Sequence, residues 1–255
     1  MQKTVVSIGE ILWDVFPEGK KAGGSSMNVA LNLHKQGINS QFISAIGDDK
    51  NGQELIEFLA SNDFPTKLIQ VNNLPTSTVQ VKLDEQQQAT YTILEPVAWD
   101  AIELTDRLIA TIKNADALVY CSLTYRNETS RRTILNLLKH AKLKVFDINL
   151  REPFYTITTL KQLLAAADIL KVNEHELVYL KNELHLSGNT DEQLLKQLSL
   201  LFNIQIICLT VGEKGAYVLH EDFLHHHKGY TVKVADTVGA GDSFLATCVA
   251  SYLKG

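Results

Sequence analysis

Apolar and polar residues alternate along the chain with two different periods, one typical of strands and one of helices. Short apolar runs rich in Val and Ile predict buried strands at 4–8, 41–45, 117–121, 144–148, 169–172 and 205–209. Apolar residues at helical spacing predict helices at 27–36, 52–61, 105–113, 129–141, 159–166, 174–184 and 191–202. Strands that alternate with helices in this way are typical of βαβ units. The pattern therefore predicts an α/β protein with a central, mostly parallel sheet.

One region breaks this alternation. Residues 67–97 contain three runs of alternating, strand-like sequence, separated by turn-rich segments and without helices between them. Together with residues 11–22, we expect them to form a small antiparallel sheet that stands off the main one. Its expected use is as a lid that excludes water from a reaction site. The alternative is an ordinary extension of the main sheet at its edge.

Composition is that of one globular domain covering residues 1–255. The chain is 45% hydrophobic and 21% charged, and its net charge is -5 without a sustained basic stripe. This charge argues against nucleic acid and against an anionic membrane as main partners. The sequence contains no apolar window of about 18 residues, the length that a membrane-spanning helix requires. The three cysteines lie in apolar runs without CxxC spacing, which predicts buried thiols in a reducing compartment, by default the cytoplasm.

The segment 236–244 reads DTVGAGDSF and lies between an extended run and an apolar, helix-like stretch. Gly239, Ala240 and Gly241 can present successive backbone N–H groups at a helix N-terminus, a geometry that cradles phosphate oxygens. A carboxylate at Asp242 would repel phosphate, but it can take a proton from an attacking hydroxyl. The segment therefore predicts phosphoryl transfer. A helix cap without catalytic function is the alternative.

Polar residues suited to a hydroxylated ligand lie near the N-terminus. Gly23 and Gly24 permit close approach of the backbone, and Asn28 in the helical turn that follows offers both a donor and an acceptor. Asp14 comes shortly after the first strand, and its carboxylate can accept hydrogen bonds from two neighbouring hydroxyls. A turn residue or a helix cap is the alternative for each of them.

Two further segments suggest a nucleotide and its metal ion. Asn173 and Glu176 follow strand 169–172 and face the same way on a first helical turn, where they can organise hydrated Mg²⁺ beside phosphates. Locally, a capping box is favoured over this interpretation. Thr210, Gly212 and Gly215 lie in a strand–turn–strand segment that can border a nucleotide. The P-loop motif and the protein-kinase motifs are absent from the sequence.

Seven motifs, in this order, resemble those of the ribokinase-like sugar kinases, also called the phosphofructokinase B type. They are GEILWD at 9–14, GGSSMN at 23–28, GDDKNG at 47–52, DINLR at 147–151, NEHE at 173–176, LTVGEKGA at 209–216 and DTVGAGD at 236–242. The resemblance covers nearly the whole chain. It implies a three-layer α/β/α sandwich with a β-sheet lid that is often shared across a homodimer. It also implies ATP-dependent phosphorylation of a primary sugar hydroxyl.

The resemblance also implies a role for individual residues. In catalysis these are Asp242 as the base and the N–H groups of Gly239, Ala240 and Gly241 as the anion hole. For the sugar they are Asp14, Gly24 and Asn28, to which we add Arg151 because polar residues beyond a strand end are site candidates in open α/β sheets. For ATP and Mg²⁺ they are Asn173, Glu176, Thr210, Gly212 and Gly215. For a monovalent cation such as K⁺, bound by some members, they are Asp236 and Val238.

The substrate that the resemblance implies is fructose. GEILWDVFP and DINLREP are most similar to fructokinases, and 2-keto-3-deoxygluconate kinases are the nearest alternative. An acid sugar needs a cation for its carboxylate, and the lid strand ATYTILE has none, although Lys82, Arg126 and Arg151 remain available. Members of the family continue well beyond the DTVGAGD motif, so we expect the C-terminal part of the family fold to be missing here. A catalytically inactive sugar-binding protein without a complete ATP site is therefore the alternative from another functional class.

Overall fold

The computed structural model of the protein describes residues 2–83, 89–231 and 238–255. In these ranges the strands are β1 (Thr4–Ile8), β2 (Leu12–Phe16), β3 (Gly19–Gly23), β4 (Asn39–Gly47), β5 (Ile69–Asn72), β6 (Ser77–Leu83), β7 (Ala89–Ile93), β8 (Ala117–Cys121), β9 (Lys144–Asp147), β10 (Ile169–Asn173), β11 (Ile206–Thr210), β12 (Ala216–His220) and β13 (Phe223–His227). The helices are α1 (Ser25–Lys35), α2 (Lys50–Ser61), α3 (Asp106–Asn114), α4 (Glu128–Leu138), α5 (Ile157–Leu164), α6 (Glu174–Glu183), α7 (Asp191–Phe202) and α8 (Ala240–Lys254). The elements follow the predicted alternation, with ends that differ by a few residues.

The main sheet has the strand order β13-β12-β11-β10-β9-β8-β1-β4-β5 in the described part of the chain. The seven strands from β11 to β5 in this order run parallel, β12 runs antiparallel to β11, and β13 runs antiparallel to β12 and so in the same direction as the parallel strands. Strand β1 is central, because Val5 pairs with Ser40 of β4 on one side and with Ala117 of β8 on the other. Strands β4 and β5 are added on one side of β1, and strands β8 to β13, which come later in the chain, are added on the other side. Such a reversal of the strand order opens a crevice for ligands at the carboxyl ends of the strands.

Helices cover both faces of the main sheet. On one face, Val29 of α1 and Leu245 of α8 pack against Val5, and α2 adds its buried leucines beside β4. On the other face, helices α3 to α7 pack their apolar residues against the opposite side of the same strands, including Val6 and Ile8 of β1. The predicted three-layer α/β/α sandwich is therefore confirmed. No helix in the described ranges is long and apolar enough to cross a membrane.

A small sheet with the order β3-β2-β6-β7 stands beside the main one. Its two outer pairs, β2 with β3 and β6 with β7, are antiparallel, and β2 pairs with β6 in parallel. The sheet is tied to the main body through Trp13, which is almost fully buried and donates its indole N–H to the carbonyl of Asn51 at 3.0 Å. The small sheet is therefore held over the carboxyl end of β1, where β2 follows directly in the chain.

Strand β5 corrects the predicted extent of the small sheet. The prediction assigned all of residues 67–97 to that sheet, but Ile69 pairs in parallel with Ser44 of β4 in the main sheet. The physical reason is the connection between them. Helix α2 joins β4 to β5 as a βαβ crossover, and such a crossover returns the chain to the same sheet. For this strand the alternative, an extension at the sheet edge, is the observed structure.

Candidate active site

The carboxyl ends of the parallel strands open into a cavity of about 470 Å³. Val79 of β6 and Ile93 of β7 line it from the small sheet. Most of the predicted site residues line it as well, namely Asp14, Gly24, Asn28, Arg151, Asn173, Glu176, Val238, Gly239, Gly241 and Asp242. An adjoining cleft of about 420 Å³ adds Ala240. The fold therefore brings residues from both ends of the chain to one site.

Two helices that begin at this cavity lack a capping side chain. At each of the other six described helices, the side chain of the N-cap residue accepts a hydrogen bond from a backbone N–H of the first turn. These N-cap residues are Asp49, Thr105, Asn127, Thr156, Asn173 and Thr190. Helices α1 and α8 begin instead at Gly24 and Gly239, both in the cavity wall. The first N–H groups of a helix have no partner within the helix. At α8 no capping side chain takes them, and the helix dipole favours an anion there, whereas at α1 the N–H of Ser26 bonds to the carboxylate of Glu10.

The Asp242 carboxylate lies on the first turn of α8 and is held by helix α1. Its Oδ1 accepts a hydrogen bond from the Ser25 hydroxyl at 2.7 Å, and its Oδ2 accepts one from Nδ2 of Asn28 at 2.8 Å. Burial, followed by the nearby charge of Asp147, raises the pKa of Asp242, while the two hydrogen bonds act in the opposite direction. The site therefore contains an oriented carboxylate with a raised pKa, which suits a general base.

The start of α1 is fixed by the buried carboxylate of Glu10. Glu10 Oε2 accepts hydrogen bonds from the hydroxyl groups of Ser26 and Thr124, both at 3.0 Å, and from the thiol of Cys121 at 3.2 Å. Its Oε1 accepts a hydrogen bond from the backbone N–H of Ser26 at 3.3 Å. A carboxylate that is buried without a cation needs such donors. Glu10 therefore orients the turn that carries Ser25 and Asn28, although sequence reasoning did not identify it.

Asp14 and Arg151 contribute opposite charges to the cavity wall. Asp14 lies on β2 and is half-buried, and burial raises its pKa while the charge of Arg151 lowers it. Arg151 follows β9 and is exposed, with Nη1 donating to the carbonyl of Leu150 at 2.9 Å. A carboxylate and a guanidinium in one wall can bind the acceptors and donors of a sugar.

Asn173 and Glu176 form the capping box that was the local alternative. Asn173 Oδ1 accepts a hydrogen bond from the backbone N–H of Glu176 at 2.9 Å, and Glu176 Oε2 accepts one from that of Asn173 at 2.8 Å. Glu176 Oε1 also accepts a hydrogen bond from the backbone N–H of Leu150 at 3.2 Å. Both residues nevertheless line the cavity. The cap therefore places an almost fully buried carboxylate at the cavity wall.

The chain matches a family of known proteins over nearly its whole length. The matching family is described as pfkB family carbohydrate kinase, and the match covers residues 6–255 of the chain. The chain belongs to the pfkB family of carbohydrate kinases. The resemblance to ribokinase-like sugar kinases that the seven motifs indicate is thereby confirmed.

Three of the proteins that are similar to this chain are fructokinases. That of Vibrio alginolyticus is 30% identical over 258 residues, which cover 95% of this chain and 81% of the relative. The structure of the Vibrio cholerae O395 enzyme with fructose, ADP and calcium ion has a TM-score of 0.82 at 26% identity and covers 98% of this chain and 83% of that one. The structure of the Xylella fastidiosa enzyme with bound ATP has a TM-score of 0.88 at 22% identity, with 100% and 82% covered. This last likeness supports the fold alone.

Of the predicted nucleotide residues of this pfkB family member, Asn173 lines the cavity, whereas Thr210, Gly212 and Gly215 do not. Thr210 ends β11 and pairs with Asn173 of β10, so the two lie at the same end of neighbouring strands. Gly212 and Gly215 follow with φ angles of 57° and 93°, in a turn closed by the backbone N–H of Val211 and the carbonyl of Gly215 at 3.0 Å. Positive φ favours glycine at both positions.

The predicted positions for a monovalent cation have different outcomes. Val238 lies next to the glycine turn, is exposed and lines the cavity. Asp236 lies outside the described residues. Among the residues that are described, the structure gathers no group of three or more His, Cys, Asp or Glu side chains that could hold a metal ion.

Sequence reasoning missed three residues that line the cavity, namely Ser25, Glu10 and Lys171. The signal that could have found the first two is the pair of glycine caps, since a helix without a capping side chain needs another group to fix its first turn. Lys171 lies within an apolar strand, where a lysine requires a buried partner. Each signal points to a residue without giving its partner.

Proposed function

We propose that this protein is an ATP-dependent fructokinase, which transfers the γ-phosphoryl group of ATP to a primary hydroxyl of fructose and releases fructose 6-phosphate and ADP. The observation that supports this proposal most directly is the position of the Asp242 carboxylate. It is held by hydrogen bonds from Ser25 and Asn28 at the start of α8, where Gly239 is the N-cap residue. The choice of fructose rests on the fructokinases among the relatives, one of which is 30% identical over nearly the whole chain. The kinase class rests on the family.

The proposed reaction is a single displacement at the γ-phosphorus of ATP. The Asp242 carboxylate accepts the proton of the primary hydroxyl as its oxygen bonds to the γ-phosphorus, and the bond to the bridging oxygen of ADP breaks. The backbone N–H groups at Gly239, Ala240 and Gly241 form the anion hole for the charge on the transferring group. Charge stabilisation and positioning supply most of the catalysis of phosphoryl transfer.

The sugar is assigned to the cavity between α1 and the small sheet. Asp14 accepts hydrogen bonds from sugar hydroxyls, Gly24 allows close approach to the start of α1, and Arg151 donates. Asn28 uses its Nδ2 for Asp242, so its contact with a hydroxyl falls to its Oδ1. Because these groups line the same cavity as Asp242, a sugar bound to them brings its hydroxyl towards the base.

The nucleotide is assigned to the neighbouring strand ends, at Asn173, Thr210, Gly212 and Gly215. Glu176 fits a hydrated Mg²⁺, because its buried carboxylate lines the cavity and each oxygen keeps lone pairs beyond its backbone hydrogen bond. When bound, Mg²⁺ would neutralise charge on the phosphates. Asp236 and Val238 are assigned to K⁺ by the family resemblance alone.

The small sheet is assigned the role of a lid. Its residues Val79 and Ile93 already line the cavity, so a small movement of β6 and β7 would change access of water to the site. A homodimer formed through this sheet, and a cytoplasmic location, complete the proposal. Sedimentation at micromolar concentration, with and without sugar, tests the dimer.

A coupled assay of ADP release over a panel of sugars tests the proposed function. We expect turnover with fructose to exceed turnover with 2-keto-3-deoxygluconate. The acid sugar is the second candidate because Arg151 lines the cavity and can bind its carboxylate. Reversed preference that is lost in Arg151→Ala would establish that candidate. Failure to turn over any sugar, while fructose still raises the melting temperature, would instead identify an inactive sugar-binding relative.

Removing the Ser25 hydroxyl is expected to shift the pH dependence of the reaction. Its hydrogen bond favours the charged form of Asp242 and opposes the effect of burial, so Ser25→Ala should raise the pKa of Asp242 further. The base must be ionised to work. The acidic limb of the kcat/KM profile should therefore move to higher pH by about one unit.

The matched control is Ser61→Ala, because Ser61 is an exposed serine at the end of α2 whose hydroxyl bonds to the Phe58 carbonyl. Its profile should match that of the unaltered protein. An acidic limb that stays in place, or moves to lower pH, in Ser25→Ala would contradict the role given to this hydrogen bond.

A further inference from the structure

Lys171 is a buried lysine in the middle of the parallel sheet. It lies on β10 opposite Asp147 of β9, and its side chain is 8% exposed. Its Nζ donates a hydrogen bond to Asp147 Oδ1 at 3.0 Å. Taking both charges out of water carries a desolvation penalty of several kcal/mol per ion in typical proteins. A buried ion pair therefore often adds little to the stability of a protein, and its presence at this place calls for another explanation.

The charges around Lys171 do not belong to this pair alone. Burial by itself lowers the pKa of Lys171, but the charges of Asp147, Glu176 and Asp242 outweigh it and raise the pKa above its ordinary value. Lysine 171 therefore stays protonated at neutral pH. One ammonium faces three carboxylates, and two of these, Glu176 and Asp242, line the cavity together with the carboxylates of Glu10 and Asp14. Phosphate groups entering this cavity meet mainly negative side chains, which repel them.

Lys171 is the buried cation in the described cavity wall, since Arg151, the other cation there, is exposed. It also lies directly against the glycine turn. A Cβ on Gly241 would come within 3.3 Å of Lys171 Nζ and 3.6 Å of its Cε. At Gly239 the corresponding neighbours are Asn28 Nδ2 at 3.6 Å and Asp242 Oδ2 at 3.8 Å. The turn thus has the proposed base on one side and the ammonium on the other.

We infer that Lys171 is a further catalytic residue, whose ammonium contacts the transferring phosphoryl group at the glycine turn and stabilises its charge in the transition state. The inference rests on the proposed function. Asp147 then has the task of keeping the ammonium in place. A fixed charge in a water-excluded site acts more strongly than one in solvent and needs no reorganisation during the reaction.

The inference competes with a purely structural role, in which the pair only joins β9 to β10. Lys171→Met alone does not separate the two, because it leaves Asp147 buried without a cation and destabilises the protein in either case. The double variant Asp147→Asn with Lys171→Met removes both charges and keeps similar volumes. If the pair is structural, the double variant should recover turnover. If Lys171 acts on the phosphoryl group, turnover should remain low.

We expect the double variant to lower kcat about 100-fold, the effect typical of losing one donor from an oxyanion site, while KM for fructose changes by less than about threefold. The control is Lys144→Met, which removes another lysine of this sheet. Lys144 begins β9, at the end of the strand away from Asp147, and its Nζ pairs with Asp168, the residue before β10, at 3.3 Å. This control should leave kcat unchanged. Melting curves of all variants monitor folding.

The two proposals fail in different ways. If the unaltered protein phosphorylates no sugar, the proposed function fails whatever Lys171 does. If it phosphorylates fructose, and the double variant keeps kcat within about threefold, only the role of Lys171 is overturned. A rise in KM for fructose with kcat preserved would also overturn it, because charge stabilisation confined to the transition state lowers kcat.

Discussion

Replacing Asp242 with asparagine is expected to lower kcat for fructose phosphorylation about 1000-fold, within the range that general base catalysis supplies. Asparagine has the same size as aspartate, and the amide of Asn28 can turn to accept a hydrogen bond from it. The sugar site is therefore kept, and KM for fructose should change by less than about threefold. What is lost is the group that takes the proton of the attacking hydroxyl. Coupled ADP release at saturating ATP measures the effect.

Stability should change in the opposite direction from activity. Burial and the charge of Asp147 disfavour the ionised form of Asp242 in the folded protein. A neutral side chain removes this penalty, so Asp242→Asn should melt at the same temperature as the unaltered protein or above it. The control Asp191→Asn alters another acid on the first turn of a helix, exposed at the start of α7. It should keep full activity. Asp242→Asn with more than about a tenth of normal kcat would exclude Asp242 as the base.

Most of the fold could be predicted from the sequence because each strand and helix carries its own local pattern. Strand β8, for example, is buried along its whole length and reads as one short apolar run. Strand β5 was assigned to the wrong sheet for the opposite reason. None of its residues is fully buried, Val71 is exposed, and polar and apolar residues alternate much as they do in β6. Which sheet it joins depends on the crossover through α2, and local sequence does not encode that partner.

The site could be predicted only as far as it is local. The glycine turn and Asp242 lie within a few residues of one another, so their chemistry can be read from one segment. The partners of Asp242 cannot, because Ser25 and Asn28 are more than 200 residues away and meet it only through the packing of α1 against α8. The same holds for Glu10, whose partner Thr124 follows a different strand. These contacts are products of the fold.

Replacing Gly24 with alanine is expected to lower kcat/KM at least about 100-fold, although alanine adds only a methyl group. Gly24 has a φ of 112°, and a Cβ there would overlap the main-chain carbonyl oxygen of Glu10. That oxygen belongs to the backbone and has no rotamer to move into, so the start of α1 must shift instead. This turn carries Ser25 and Asn28, and a displacement of about 1 Å at a reacting group can reduce a rate about 100-fold. Steady-state kinetics and a melting curve measure the two consequences.

Gly37 provides the control that separates the clash from backbone strain. It follows the other end of the same helix with a φ of 77°, and a Cβ there would meet no atom within 4 Å. Gly37→Ala should therefore lower the free energy of unfolding by about 1 kcal/mol through its φ angle, and leave kcat/KM unchanged. Equal losses of activity in both variants would mean that strain in α1 generally disturbs the enzyme. Loss in Gly24→Ala alone would instead locate the effect at the turn that holds Asp242, because only there does the added methyl group displace the residues that orient the base.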